Sequence, residues 1–221
     1  MALIPLDLPA GVYRNGTDLQ SQGRWRDSNL VRWFDNTLRP IGGWRTRSDT
    51  ASAGQVRGLH SWIANNSDRW IAAGSYNKLY AYSGAGARYD ITPTGLTAGN
   101  EDALQPVGYG NAFYGLEYYG IARQEVTTIV PATTWAMDSW GEYLVACSSK
   151  DGKVYQWQLN TGTIAAPVAN APVNNRSILV TEERFLMCLG AGGNPRLVQW
   201  SDRENNTVWT PAATNEAGSL E

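Results

Sequence analysis

Short apolar or alternating runs, separated by Gly, Asn, Ser and Asp, fill most of the chain, and three stretches superimpose. In the first, Trp70-Ile71-Ala72-Ala73-Gly74 is followed by Lys78-Leu79-Tyr80-Ala81-Tyr82 and then Pro93. In the second, Tyr143-Leu144-Val145-Ala146-Cys147 precedes Lys153-Val154-Tyr155-Gln156-Trp157 and Pro167. In the third, Phe185-Leu186-Met187-Cys188-Leu189 precedes Arg196-Leu197-Val198-Gln199-Trp200 and Pro211. The second and third stretches are offset by 42 to 44 residues and the first and second by 73 to 75, so one insertion separates the first pair. Period-two patterning bounded by turn residues predicts strands and leaves almost no room for helices.

A repeat of this length holding several short strands predicts blades of a β-propeller. In the second unit the strands fall at Thr133–Asp138, Tyr143–Cys147, Lys153–Trp157 and Thr163–Ala165. Tyr143–Cys147 is wholly apolar, as for a strand buried on both faces, whereas the alternating Lys153–Trp157 suits a strand nearer the outside. Turn chemistry agrees at Trp140-Gly141-Glu142, Asp151-Gly152 and Asn160-Thr161-Gly162. The expectation is an all-β chain: a partial β-propeller with three recognisable four-stranded blades, preceded by an N-terminal arm and a β-hairpin. The boundaries are 1–22 for the arm, 23–55 for an Arg/Trp-rich hairpin and linker, and 56–96 for blade one. The insertion loop spans 97–127, blade two 128–170, blade three 171–214, and 215–221 is a tail or the start of a missing blade.

The insertion carries Tyr109-Gly110, Tyr114-Gly115 and Tyr119-Gly120, a five-residue beat of aromatic and Gly. A loop this long is usually functional or disordered. Three tyrosines favour an interaction loop over a spacer, because they need a surface to cover. Near the N-terminus, Asn29–Phe34, Asp35-Asn36 and Thr37–Ile41 read as a hairpin with a tight turn. Residues 1–60 hold eight Arg, five acids and no Lys, and the remainder holds ten basic and fifteen acidic residues, so a basic arm precedes an acidic body.

Across all 221 residues, 43% are hydrophobic, which excludes disorder by composition, and a net charge of −2 argues against a general polyanion binder. Trp 10 and Tyr 11 outnumber Phe 3. The 2 Cys, Cys147 and Cys188, exclude a disulfide-dense scaffold and fit no zinc motif. The one histidine, His60, reads as a structural residue on the innermost strand of the first unit rather than a general base. No nucleophile elbow, phosphate loop or metal cluster occurs, so no catalytic, metal or cofactor residue is assigned. Met1–Asp7 lacks the basic start of a secretion signal, and no apolar run is long enough to span a bilayer as a helix.

Arg24, Trp25, Arg32, Trp33, Arg39 and Trp44 alternate along the arm. Such interleaving can bind single-stranded nucleic acid by stacking and charge. It can equally make protein contacts, with Arg stacked on Trp and paired to Asp27, Asp35 and Asp49 or to a neighbouring subunit. The even spread of acids and the lack of Lys favour protein contact. These six residues, with Tyr109, Tyr114 and Tyr119, are the candidate inter-subunit contacts. Ser201–Trp209 is loosely like the aspartate-box hairpin of sialidase-type propellers, in which the Asp ties the turn and the Trp packs between blades.

Several stretches in order resemble the β-propeller tail-tube or nozzle proteins of short-tailed bacteriophages, also described as packaged-DNA stabilisation proteins. They are Leu8–Arg14, Gly23–Asp27, Val31–Trp33, Ile41–Trp44, the Tyr-Gly loop at 109–120, Trp140–Glu142 with Lys153–Trp157, Ser201–Pro211 and Asn215–Gly218. The resemblance implies a virion structural protein without catalytic residues. It would form a sixfold ring with copies of itself at the tail's distal end, next to adaptor, portal-proximal and other tail proteins. Double-stranded DNA would pass through without sequence-specific contact, and no membrane insertion is expected. Three blades cannot close a propeller of 4–8, so further blades beyond residue 221 or a partner chain would supply the rest. The alternative expectation is a propeller that binds host glycans through exposed aromatics. A propeller hydrolase ranks last.

Overall fold

The computed structural model describes residues 9–43, 45, 46, 48, 50–104 and 129–221. Among them the fold is all-β, with four antiparallel sheets, no α-helix and one 3-10 turn at Ala191–Gly193. The chain divides into two compact units, Met1–Arg47 and Ser48–Glu221.

In the first unit, β1 (Val31–Phe34) and β2 (Thr37–Pro40) pair as a hairpin, with Phe34 opposite Thr37. Asp35 and Asn36 take φ of 47° and 55°, the two positive values a type I′ turn needs and which Asx residues tolerate best after Gly. Ahead of the hairpin, a parallel bridge joins Val12 to Trp25, and the Tyr13 amide donates to the Trp25 carbonyl at 2.8 Å.

The second unit stacks three four-stranded sheets, each with its strands in sequence order. Sheet one comprises β3 (Gly58–Ile63), β4 (Arg69–Gly74), β5 (Leu79–Ser83) and β6 (Arg88–Asp90). Sheet two comprises β7 (Trp135–Trp140), β8 (Tyr143–Ser148), β9 (Val154–Trp157) and β10 (Ala166–Pro167). Sheet three comprises β11 (Ser177–Val180), β12 (Leu186–Leu189), β13 (Val198–Trp200) and β14 (Gly218–Leu220). The first strands lie side by side, with β3 and β11 both packed on β7.

Alternation splits each strand between two neighbours. One core, between sheets one and two, buries Trp62, Trp70, Leu79, Leu144, Tyr155 and Trp157. The other, between sheets two and three, buries Trp140, Val145, Cys147, Leu186, Cys188 and Trp209. Sheet two is therefore covered on both faces. β9 stands third in its sheet, away from β7, in the outer half that its alternation suggested, and Val154, Tyr155 and Trp157 are buried there all the same.

The fourth strand of sheet two is also displaced, to Ala166–Pro167 instead of Thr163–Ala165. Asn160 claims the earlier residues: its carbonyl accepts from the Thr163 amide at 3.0 Å and its side chain from the Gly162 amide at 3.0 Å. Trp157 Nε1 closes the same turn on the Asn160 and Thr163 carbonyls. Ala165 turns to sheet one, where its amide donates to the Ile91 carbonyl at 3.0 Å.

Candidate interaction surfaces

Among the described residues of the first unit, two arginines stack on Tyr and Phe rather than on Trp. Arg24 lies 5.1 Å over the Tyr13 ring and Arg39 4.9 Å over Phe34. Trp25 and Trp33 instead meet each other, with ring centroids 6.1 Å apart and planes tilted by 58°. Among the described residues, the buried Nε1 atoms of both indoles have no acceptor. Arg32 and Arg39 sit directly opposite across the hairpin, both exposed. Like charges in that position repel. Asp27 pairs with Arg14 at 2.9 Å, and Asp18 pairs with Arg26. Trp44, Asp49, Tyr109, Tyr114 and Tyr119 lie outside the described residues.

The two ends of the insertion are bonded to each other. Leu104 and Val130 exchange two backbone hydrogen bonds, at 2.8 and 3.0 Å. The Asn100 amide donates to Thr133 Oγ1 at 2.8 Å, and the Thr133 amide donates back to the Asn100 carbonyl at 3.0 Å. Arg57 clamps this base by donating to the Glu101 carbonyl and pairing with Asp102 at 2.9 Å. Sequence reasoning missed Arg57, which stands 44 and 45 positions from its partners and carries no local signal.

His60 lies on β3, half-buried, and its Nε2 is 2.8 Å from Ser139 Oγ on β7. Its ring stacks on Trp62 at 5.8 Å. Burial lowers its pKa below the usual imidazole value, partly offset by the charge of Asp138. Asp138 faces the other way: its Oδ2 accepts the Val180 amide of β11 at 2.7 Å. His60 and Asp138 are thus ties between adjacent first strands. Ser139 and Asp138 are sequence neighbours on opposite faces of β7, so they build no serine–histidine–acid relay.

Asp151 is buried. Burial pushes its carboxyl up, but the Tyr155 hydroxyl, the Thr97 amide at 3.2 Å and the charge of Lys153 outweigh that, and its pKa falls below the usual value. Tyr155 is pushed up in turn, by burial and by the Asp151 bond. Cys147 and Cys188 are free thiols, fully buried between sheets two and three. Burial raises both, Cys147 to about 12, which removes the thiolate form at neutral pH.

In the Ser201–Trp209 stretch, Asp202 Oδ1 accepts the Glu216 amide at 2.8 Å. Trp209 is buried between sheets two and three, with its Nε1 donating to the Asn206 carbonyl at 2.7 Å. A cleft of about 550 Å³ lies beside the insertion base, lined by Asn100, Thr133, Ser149, Lys150, Asn174 and Arg176 among others, and no described aromatic borders it. Among the described residues, no cluster of three or more His, Cys, Asp or Glu could hold a metal, and no helix is long and apolar enough to cross a membrane.

No family model, curated protein or solved structure matches the chain.

Proposed function

We propose that the chain is a passive architectural component of a short bacteriophage tail: a nozzle or tail-tube ring protein that helps retain packaged DNA and conducts it at ejection. The three four-stranded sheets are read as successive propeller blades, with β3, β7 and β11 nearest the axis. The observation that carries this reading is the repetition of the stack itself. Each sheet keeps its strands in sequence order, and first strand lies beside first strand. Propellers arrange four-stranded blades in that manner around a channel.

The viral step rests on the resemblance of the ordered sequence stretches to those of tail proteins. The acidic balance of residues 61–221 suits a wall that repels phosphates and lets duplex DNA slide. In the arm, two buried indole donors without described acceptors and two opposed arginines suit contact with a neighbouring subunit. A glycan-binding alternative gains no aromatic platform at the described cleft.

The test is localisation. An epitope-tagged chain should co-purify with infectious particles and label the distal tail by immunogold microscopy. Particles that lack it, or that carry it on the capsid, overturn the reading.

A further inference from the structure

The cleft of about 550 Å³ beside the ends of the insertion differs in charge from the body around it. Residues 61–221 hold fifteen acids against ten bases. The described residues that line the cleft include Lys150 and Arg176 and no carboxylate. Both side chains are exposed, and among the described residues neither makes an ion pair or a side-chain hydrogen bond. By contrast, Arg57, Lys78, Lys153 and Arg196 each face a carboxylate, at 2.8 to 3.7 Å.

The two free cations come from different sheets, and the segments that carry them are bound together. Lys150 lies in the β8–β9 turn of sheet two, and Arg176 precedes β11 of sheet three. Between them, the buried Asn175 donates twice to the Gly152 carbonyl, from its main-chain amide and from Nδ2, both at 2.9 Å. Gly152 lets the two segments touch, since a Cβ there would stand 2.6 Å from Asn174 Cα. The Arg176 stem lies along Gly190 of the β12–β13 turn, with its Cγ 3.1 Å from where a Cβ would be. Main-chain contacts thus set the two cations in place before any ligand arrives, which lowers the cost of binding one.

Neutral donors stand with them. Asn174 lines the cleft, and its side chain has no partner among the described residues. Ser149 Oγ accepts the Thr134 amide at 3.0 Å, and Thr133 Oγ1 accepts the Asn100 amide at 2.8 Å. A hydroxyl that accepts one bond still has its proton to give.

We propose that this cleft binds a small organic phosphate, with the phosphate held by Lys150 and Arg176 and a hydroxylated body along Ser149 and Thr133. A phosphate monoester carries a charge of about −1.5 to −2 near pH 7 and three acceptor oxygens. Arg answers it with a planar fork and Lys with a compact point charge. The volume falls within the roughly 300–1,000 Å³ of small-molecule sites. The acidic body around the cleft repels a long polyanion and leaves room for a short one. The site is built wholly within the second unit and owes nothing to the tail reading.

Calorimetric titration of the 221-residue chain with ribose 5-phosphate tests this. The expected result is one saturable site per chain, weakened by added salt. Inorganic phosphate should compete for it, and ribose should not bind. Lys150→Ala and Arg176→Ala should each weaken binding about tenfold or more. Arg176→Lys should lose less, because it keeps the charge and gives up only the fork. Arg69→Ala, at an exposed arginine outside the cleft, should bind as wild type does. Both substituted positions are exposed, so the thermal midpoints without ligand should not move; where Arg176→Ala melts early, Arg176→Gln replaces it. No saturable binding up to about 10 mM ligand, the result also expected of a cleft filled by the chain itself, overturns the proposal. Wild-type affinity in both alanine variants does so too. Duplex DNA that binds more tightly than ribose 5-phosphate and displaces it would assign the cleft to nucleic acid instead. None of these outcomes bears on whether the chain is found in the tail.

Discussion

The indole N–H of Trp135, at the start of sheet two, donates to the main-chain carbonyl of Ser75 in the β4–β5 turn of sheet one, at 2.7 Å. The ring lies flat against Gly74, where an added Cβ would stand 2.3 Å from it. Trp135→Phe keeps most of the ring but orphans a buried carbonyl, and should cost about 1–3 kcal/mol in urea unfolding. Trp135→Ala should cost about 3–5 kcal/mol, as for other large core truncations. Gly74→Ala should destabilise as well, because the added carbon would collide with the ring of the buried Trp135. Equal stability of Trp135→Phe and wild type would dismiss the bond as a contributor.

Since His60 is the sole histidine, its titration can be followed without assignment. Its folded pKa is lowered, mainly by burial, so the unfolded chain binds the proton first. Stability should be full above about pH 6.5, decline as pH falls below it, and level off beneath the folded value. His60→Gln should flatten the decline while keeping a donor toward Ser139. An NMR midpoint above 6.5 would reverse the sign and count against this account.

Asp151 works at lower pH. Its folded pKa is depressed, so its contribution is complete above the ordinary value of 3.8 and disappears as pH falls through the lower folded value. Asp151→Asn should be less stable at pH 7, and its acid-denaturation curve should be shallower than that of wild type. Parallel curves would show that another carboxylate governs acid unfolding.

Both cysteines are inaccessible and protonated at neutral pH. The native protein should give no fast colour with Ellman's reagent, and two thiols should react after denaturation. Because they sit between sheets two and three, their labelling rate reports separation of those sheets. Prompt native reaction at either would mean that the two sheets part readily.

Arg32→Glu places opposite charges across the hairpin, facing Arg39. The hairpin should gain about 0.5 kcal/mol, seen as slower amide exchange at Ile41, which bonds the Leu30 carbonyl at 2.9 Å. If the arm joins subunits through its arginines, the same change should weaken ring assembly. A stabilised hairpin with undiminished assembly would take Arg32 out of the contact.

What the sequence disclosed was whatever local chemistry dictates. Tyr143–Cys147 is apolar at every position and is a strand buried on both faces. Asp35-Asn36 can sit only at a tight turn, and does. The exact place of β10 was hidden, because it depends on Trp157 folding back onto the Asn160 turn and on Ala165 pairing with Ile91 in another sheet. The Arg57 clamp, the two ties from His60 and Asp138, and the stacking of Arg24 and Arg39 on Tyr13 and Phe34 were equally hidden. Each joins positions whose spacing follows no helical or strand period.

Because Leu104 and Val130 are bonded to each other, the two ends of the insertion are held at one place on the second unit. A peptide of another length joined at those two residues would meet the same fixed spacing. Variation among kindred chains should gather at this point first.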